Sequence, residues 1–202
     1  MKVAIICGSH RKDSGSLKVS SYLSEIIKKD NKEVFTLDLG TANIPLWEES
    51  IWDGDENWIK LWTPYSQEIK SSDAIVVVSP EYGGMASSAI KNFFLLCNKQ
   101  ELAHKPGLLV TVSAARGGAF PIFELRSSSY KNTQICYIPE HIIVRNVKQV
   151  LNEVENPDLP EDTFLRKRIP YALNLLYSYG EALVNVRNSG IPDYKMFGNG
   201  MS

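Results

Sequence analysis

Hydrophobic positions along the chain fall into two kinds of run. Residues 3–7, 74–78 and 108–112 are apolar almost throughout, and the lack of period-two alternation predicts strands covered on both faces, as in a parallel sheet. Residues 33–38 alternate and predict a strand nearer an edge. Residues 134–144 predict a fifth strand, interrupted by Pro139. In the gaps the apolar residues recur at helical spacing. Residues 17–29 carry Val19, Tyr22, Leu23, Ile26 and Ile27 as one stripe, just after serines able to cap it. Further helices are predicted over 57–71, 87–98, 120–131 and 163–186. Strict alternation of strand and helix predicts an α/β chain in which parallel strands are joined by right-handed crossovers, a doubly wound sheet with helices on both faces.

Composition narrows the class without changing the fold. At 202 residues and 44% hydrophobic, the chain suits one compact domain with a substantial core. We expect that domain over 1–187 and a Gly-rich, polar tail over 188–202 that is mobile or an arm onto another subunit. The 22 basic and 23 acidic residues leave a formal charge of −1 without like-charge blocks, which gives no support to nucleic-acid or membrane partners. The short apolar run before the polar loop at Gly8 fits neither a signal peptide nor a spanning helix, so the cytoplasm is the expected location. Cys7, Cys97 and Cys136 form no CxxC pair and read as small buried hydrophobes. The three histidines lack ligand spacing, so no metal site is expected.

Ligands of open α/β sheets bind outside the carboxyl ends of the strands. Each central strand here ends in a serine and then a glycine-containing turn: Ser9 before His10-Arg11-Lys12-Asp13-Ser14-Gly15-Ser16, Ser79 before Pro80-Glu81-Tyr82-Gly83-Gly84, and Ser113 before Ala114-Ala115-Arg116-Gly117-Gly118. The first loop opens a helix and offers hydroxyls, main-chain N–H groups and a guanidinium, the needs of a bound anion. It matches neither G-x-x-x-x-G-K-[ST] nor G-x-G-x-x-G, which disfavours a nucleoside triphosphate or a standard dinucleotide site and leaves a terminal monophosphate. Capping by Ser14 or Ser16 accounts for the serines but not for Arg11.

Gly8-Ser9-x-Arg11-x-x-Ser14 together with Ser79-Pro80-Glu81-Tyr82-x-Gly84 and Ile90-Lys91-Asn92 resembles the NADPH-dependent FMN reductases, relatives of flavodoxin and of small FMN quinone, azo and chromate reductases. The resemblance implies a flavodoxin-like sheet of five parallel strands in the order 2-1-3-4-5. It implies FMN as cofactor, with Ser9, Arg11, Ser14 and Ser16 on its phosphate and Leu17 beside the ribityl chain. Pro80, Glu81, Tyr82, Gly83 and Gly84 would flank the ring on one side, and Ser113 with Gly117 and Gly118 on the other. NADPH or NADH would be the donor, a flavin, quinone or similar small molecule the acceptor, and a homodimer or homotetramer the assembly. No catalytic side chain is expected, because the flavin itself carries the hydride and the protein supplies geometry and electrostatics. The chain departs from the family at Gly83, commonly Asn, at Ser87-Ser88, commonly Pro-Gly, and at Ser16, commonly Asn. A flavodoxin-like electron carrier or flavin-binding regulator would use the same pocket, but such carriers are strongly acidic and this chain is near neutral.

All four tryptophans lie between positions 47 and 62. Trp58 and Trp62, at i and i+4, read as the buried stripe of a helix. Trp47 and Trp52 fit either core packing or an aromatic wall beside the flavin that stacks a planar acceptor or packs across a dimer seam. Arg116 fits either the nicotinamide dinucleotide or plain surface exposure, His10 reads as a solvated loop residue, and Glu81 as a hydrogen-bonding or subunit-contact residue.

Overall fold

The computed structural model describes residues 1–196. Strands β1 (Lys2–Cys7), β2 (Glu33–Asp38), β3 (Ala74–Tyr82), β5 (Pro106–Val112) and β6 (Cys136–Val144) form a parallel sheet in the order β2-β1-β3-β5-β6, while the two-residue β4 (Met85–Ala86) pairs antiparallel with the end of β3. With β4 set aside, this is the expected order 2-1-3-4-5.

Side-chain alternation along the strands builds two cores. Val3, Ile5, Val76, Val78, Leu108 and Val110 face one way, against α1 (Gly15–Lys29) and α6 (Pro160–Asn188). Ala4, Ile6, Ile75, Val77 and Leu109 face the other, against α2 (Glu56–Lys70), α3 (Ser88–Leu96) and α5 (Phe120–Ser128). Both faces being covered is what made these strands read as unbroken apolar runs.

Three elements differ from the pattern-based reading. Strand β3 does not end at Ser79: Ser79 and Pro80 stay in the ladder opposite Thr111 and Val112. Pro80 is tolerated there because β1 has already ended, its last partner on β3 being Val78, so no neighbour asks for the missing N–H. Strand β6 runs through Pro139, which sits on the edge strand where the register with β5 slips between Gly107 and Leu109. The helix expected over 87–98 breaks at Cys97, whose backbone is extended, and resumes as the single turn α4 (Lys99–Leu102). The last helix runs to Asn188. Of the tail expected from 188, residues 197–202 lie outside the described residues.

Candidate functional site

Helix α1 leaves β1 on one face of the sheet and α3 leaves β3 on the other, so a crevice opens between the two strand ends, at the switch point of the topology. Its first wall is the loop after β1. Gly8 is wedged so closely that a Cβ there would lie 2.0 Å from Ile90 Cγ1, and its carbonyl accepts from Ser87 Oγ at 2.5 Å. Ser87 also caps α3 by accepting from the Ile90 N–H at 3.3 Å. The serine that departs from the family pattern therefore ties the start of α3 to the loop. Ser9 is buried; its hydroxyl accepts from the Arg11 N–H at 3.2 Å and shares a 2.8 Å hydrogen bond with the Tyr82 hydroxyl. Ser14 caps α1 by accepting from the Leu17 N–H at 2.9 Å, which leaves its own O–H free to donate. Ser16, in the first turn of α1, is 1% exposed and its hydroxyl has no hydrogen-bond partner among the described residues. Leu17 beside it is half-buried, and the Arg11 side chain is exposed.

The second wall is a hairpin. Gly83 (φ 59°) and Gly84 (φ 77°) are the two central residues between Tyr82 and Met85, and the paired positive φ values are the signature of a type I′ turn. Asn-Gly suits that turn as well as Gly-Gly does, so Gly83 keeps the backbone of the family pattern and drops only an amide side chain. Tyr82 meets the His10 ring edge-on at 5.4 Å between centroids. Between hairpin and first loop lies a cavity of about 420 Å³ lined by His10, Arg11, Tyr82, Met85, Ser87 and Ser88, among others. Arg11 thus stands on the hairpin side of its loop.

The third wall, residues 113–118, is joined to the second by Glu81. Glu81 Oε2 accepts from the Gly118 N–H at 2.7 Å, and Oε1 lies 2.3 Å from where a Gly117 Cβ would be, so a side chain at position 117 would push the Glu81 carboxylate out of this place. Gly118 itself takes a φ of 107° and its carbonyl accepts from Thr111 Oγ1 at 2.6 Å. Glu81 is the hydrogen-bonding residue the sequence suggested, with its partner now identified.

The site residues predicted from sequence are thus brought together at three neighbouring strand ends. Several supporting residues escaped sequence reasoning. Asn92 accepts from the Trp47 N–H at 2.7 Å and donates to the Pro45 carbonyl at 2.8 Å, fixing the loop after β2 against α3. Gly40 of that loop touches the first wall, a Cβ there lying 2.8 Å from the Ser9 carbonyl. Arg145, just past β6, donates to the carbonyls of Arg116 and Gly117. Trp58 and Trp62 are core, as expected, with Trp58 Nε1 donating to Glu48 at 3.0 Å; Trp52 is exposed and packs edge-on against Trp47 at 4.8 Å. Cys7 is fully buried and burial pushes its thiol pKa up, which suits packing and not thiolate chemistry.

The chain matches the family model described as NADPH-dependent FMN reductase over residues 1–149. It belongs to the NADPH-dependent FMN reductase family. Membership makes it an oxidoreductase with FMN as cofactor and NAD(P)H as electron donor. An NADPH azoreductase of Bacillus sp. (strain OY1-2) is 25% identical over 162 residues, which span 80% of this reductase and 84% of the relative. A quinone reductase of Pseudomonas putida KT2440 is 30% identical over 122 residues, 58% of this chain and 63% of the relative. Among solved structures, the flavoenzyme NAD(P)H:(acceptor) oxidoreductase FerB from Paracoccus denitrificans superposes with a TM-score of 0.69 at 22% identity, covering 90% of this chain and 97% of its own. An archaeal flavodoxin superposes with a TM-score of 0.54 at 12% identity over 91% of this chain and 99% of its own. These two likenesses bear on the fold, and they agree with the flavodoxin-like strand order. No helix among the described residues is long and apolar enough to cross a membrane, and no group of three or more His, Cys, Asp or Glu side chains among them is placed to hold a metal.

Proposed function

We propose that the reductase holds FMN in the crevice between its three strand ends and passes hydride equivalents from NAD(P)H to a small planar acceptor such as a quinone, a flavin or an azo compound. The observation that carries the site assignment is the buried, unpartnered Ser16 hydroxyl in the first turn of α1. A buried O–H without an acceptor costs stability, and by turning about its Cα–Cβ bond towards the helix end the Ser16 hydroxyl would donate to a phosphate there. The first-turn N–H groups, the free O–H of Ser14 and the guanidinium of Arg11 add donors of the kind a dianionic monophosphate requires. Ser9 would join them by exchanging Tyr82 for phosphate. Leu17 would lie along the ribityl chain.

At the ring end, Pro80, Glu81 and Tyr82 and the turn at Gly83 and Gly84 form one flank, and Ser113, Gly117 and Gly118 the other. The Gly118 N–H is already taken by Glu81, so this glycine contributes shape, whereas the Gly117 N–H has no acceptor among the described residues and would be able to donate. FMN held there would supply the hydride chemistry. The protein's part is to stack, orient and exclude water, and no side chain of the crevice is needed as acid or base. The acceptor class is supported by the relatives named for quinone and azo reduction. We assign the FMN-binding unit to residues 1–187 and propose a homo-oligomer, for which the exposed Phe120, Phe123 and Met85 around the hairpin offer apolar contact. Anaerobic mixing of the FMN-loaded protein with NADPH or NADH should bleach the flavin absorbance on a turnover timescale, with reoxidation by quinone; no bleaching by either nucleotide overturns the proposal. Arg11→Ala should weaken FMN binding by about tenfold, the loss of one charge-assisted hydrogen bond.

A further inference from the structure

Every main-chain carbonyl of the loop 113–118 except that of Ala114 is engaged. The Ser113 carbonyl accepts from the Val147 N–H at 3.2 Å and the Ala115 carbonyl from the Asn146 N–H at 2.9 Å. Arg145 Nε reaches both the Arg116 carbonyl, at 2.8 Å, and the Gly117 carbonyl, at 3.1 Å. The Gly118 carbonyl is held by Thr111. The N–H groups divide differently. Those of Ser113, Ala115 and Gly118 are used, by the Val144 carbonyl, by Ser113 Oγ and by Glu81. Those of Ala114, Arg116 and Gly117 have no acceptor among the described residues. The loop is therefore unbalanced by construction: five of its six carbonyls are engaged, and three of its four free main-chain groups are donors. One side chain does the most to make it so, because a single Nε–H of Arg145 occupies two successive carbonyls that would otherwise face solvent or ligand.

We infer that Arg145 is a positioning residue for electron transfer: by drawing the Arg116 and Gly117 carbonyls to itself, it turns the loop beside the flavin into a hydrogen-bond donor face that favours the reduced, more negative cofactor over the oxidised one. The inference rests on the reading above that the ring lies against residues 113–118. A bound flavin would gain negative charge on reduction, and fixed N–H donors of this loop would stabilise that charge where carbonyl oxygens would oppose it. Glu81, bonded to the Gly118 N–H from across the crevice, braces the same loop from its other side, so the turn is held between a cation behind and a carboxylate in front.

The test is the midpoint reduction potential of the FMN-loaded protein, measured spectroelectrochemically for wild type, Arg145→Met and Arg145→Lys. Lysine keeps the charge but places a methylene where Nε stood, so it cannot donate to the two carbonyls from that position. Both variants should bind reduced FMN about tenfold less tightly relative to oxidised FMN, which lowers the two-electron potential by about 30 mV. An unchanged potential in both overturns the inference. A potential restored in full by lysine also overturns it, since charge alone would then suffice. If Arg145→Met fails to fold, the lysine variant decides by itself. Failure of the underlying reading has a different signature: wild-type protein that takes up no FMN removes the proposed site and this inference with it, before any variant is made.

Discussion

Gly8 offers the sharpest quantitative check on how the crevice is built. A methyl group at position 8 would lie 2.0 Å from Ile90 Cγ1, 2.5 Å from Ile90 Cδ1 and 3.1 Å from the Val78 carbonyl oxygen. Carbon atoms need about 3.5–4.0 Å, so Ile90 would have to retreat by more than an ångström. It has nowhere to go, being fully buried in the core between the sheet and α3. Moving the helix instead strains the Ser87–Gly8 bond at 2.5 Å, and moving the loop strains the Gly8–Val78 bond at 2.8 Å. Overpacking a tight core costs about 1–3 kcal/mol, and with both escape routes closed Gly8→Ala should fall near 3 kcal/mol. Ile90→Ala alone should cost about 2–5 kcal/mol as a buried truncation. In the double variant the new methyl enters the space the isoleucine left, so the combined cost should be about 2 kcal/mol less than the sum. Urea denaturation of the four proteins with a common m-value measures this coupling. Additivity to within about 0.5 kcal/mol would show that loop and helix are not in the contact described.

Three further outcomes follow from other parts of the molecule. Ser16→Ala should leave the FMN-free protein as stable or up to about 1 kcal/mol more stable, because it removes a buried unsatisfied hydroxyl, yet weaken FMN binding about fivefold; equal FMN affinity would remove Ser16 from the phosphate site. Asn92→Ala strands both the Trp47 N–H and the Pro45 carbonyl and should cost about 1–3 kcal/mol with a change in tryptophan emission; an unaltered melting curve would contradict it. Lys105, just before β5, is buried with its ammonium against the end of α2, donating to the Ile69 and Lys70 carbonyls, and burial lowers its pKa to about 8. The unfolded chain, with the ordinary value of about 10.4, binds the extra proton between those limits, so stability should rise from pH 8 towards pH 10 by at most about 1.4 kcal/mol per unit. Lys105→Met should lack this rise, and identical pH slopes for the two proteins would refute it.

The strands were legible because their burial on both faces is written as unbroken apolar runs, and the helices because α1 and α2 carry clean stripes. The phosphate loop was legible from Arg11 and its serines, which local capping alone does not require. What the sequence hid were long-range polar contacts. Nothing local marks Arg145 as the partner of carbonyls 28 and 29 positions earlier, or Glu81 as the partner of Gly118. The hairpin was hidden for another reason: Pro80 argues against a strand, and only the early end of β1 makes it harmless. Gly83 illustrates the converse, where a residue that looked like a lost contact is a turn residue first.

That turn has an evolutionary consequence. Because a type I′ turn accepts Asn, Asp or Gly at its first central position with the same backbone, position 83 is a point where side-chain chemistry at the mouth of the crevice can be exchanged without refolding anything beneath it. A single codon there alters what an incoming molecule meets, while Gly84 and the ladder from Glu81 to Ala86 hold the frame constant. Diversification of substrate range in a lineage with this hairpin can therefore proceed by neutral structural steps, with selection acting on one protruding group at a time.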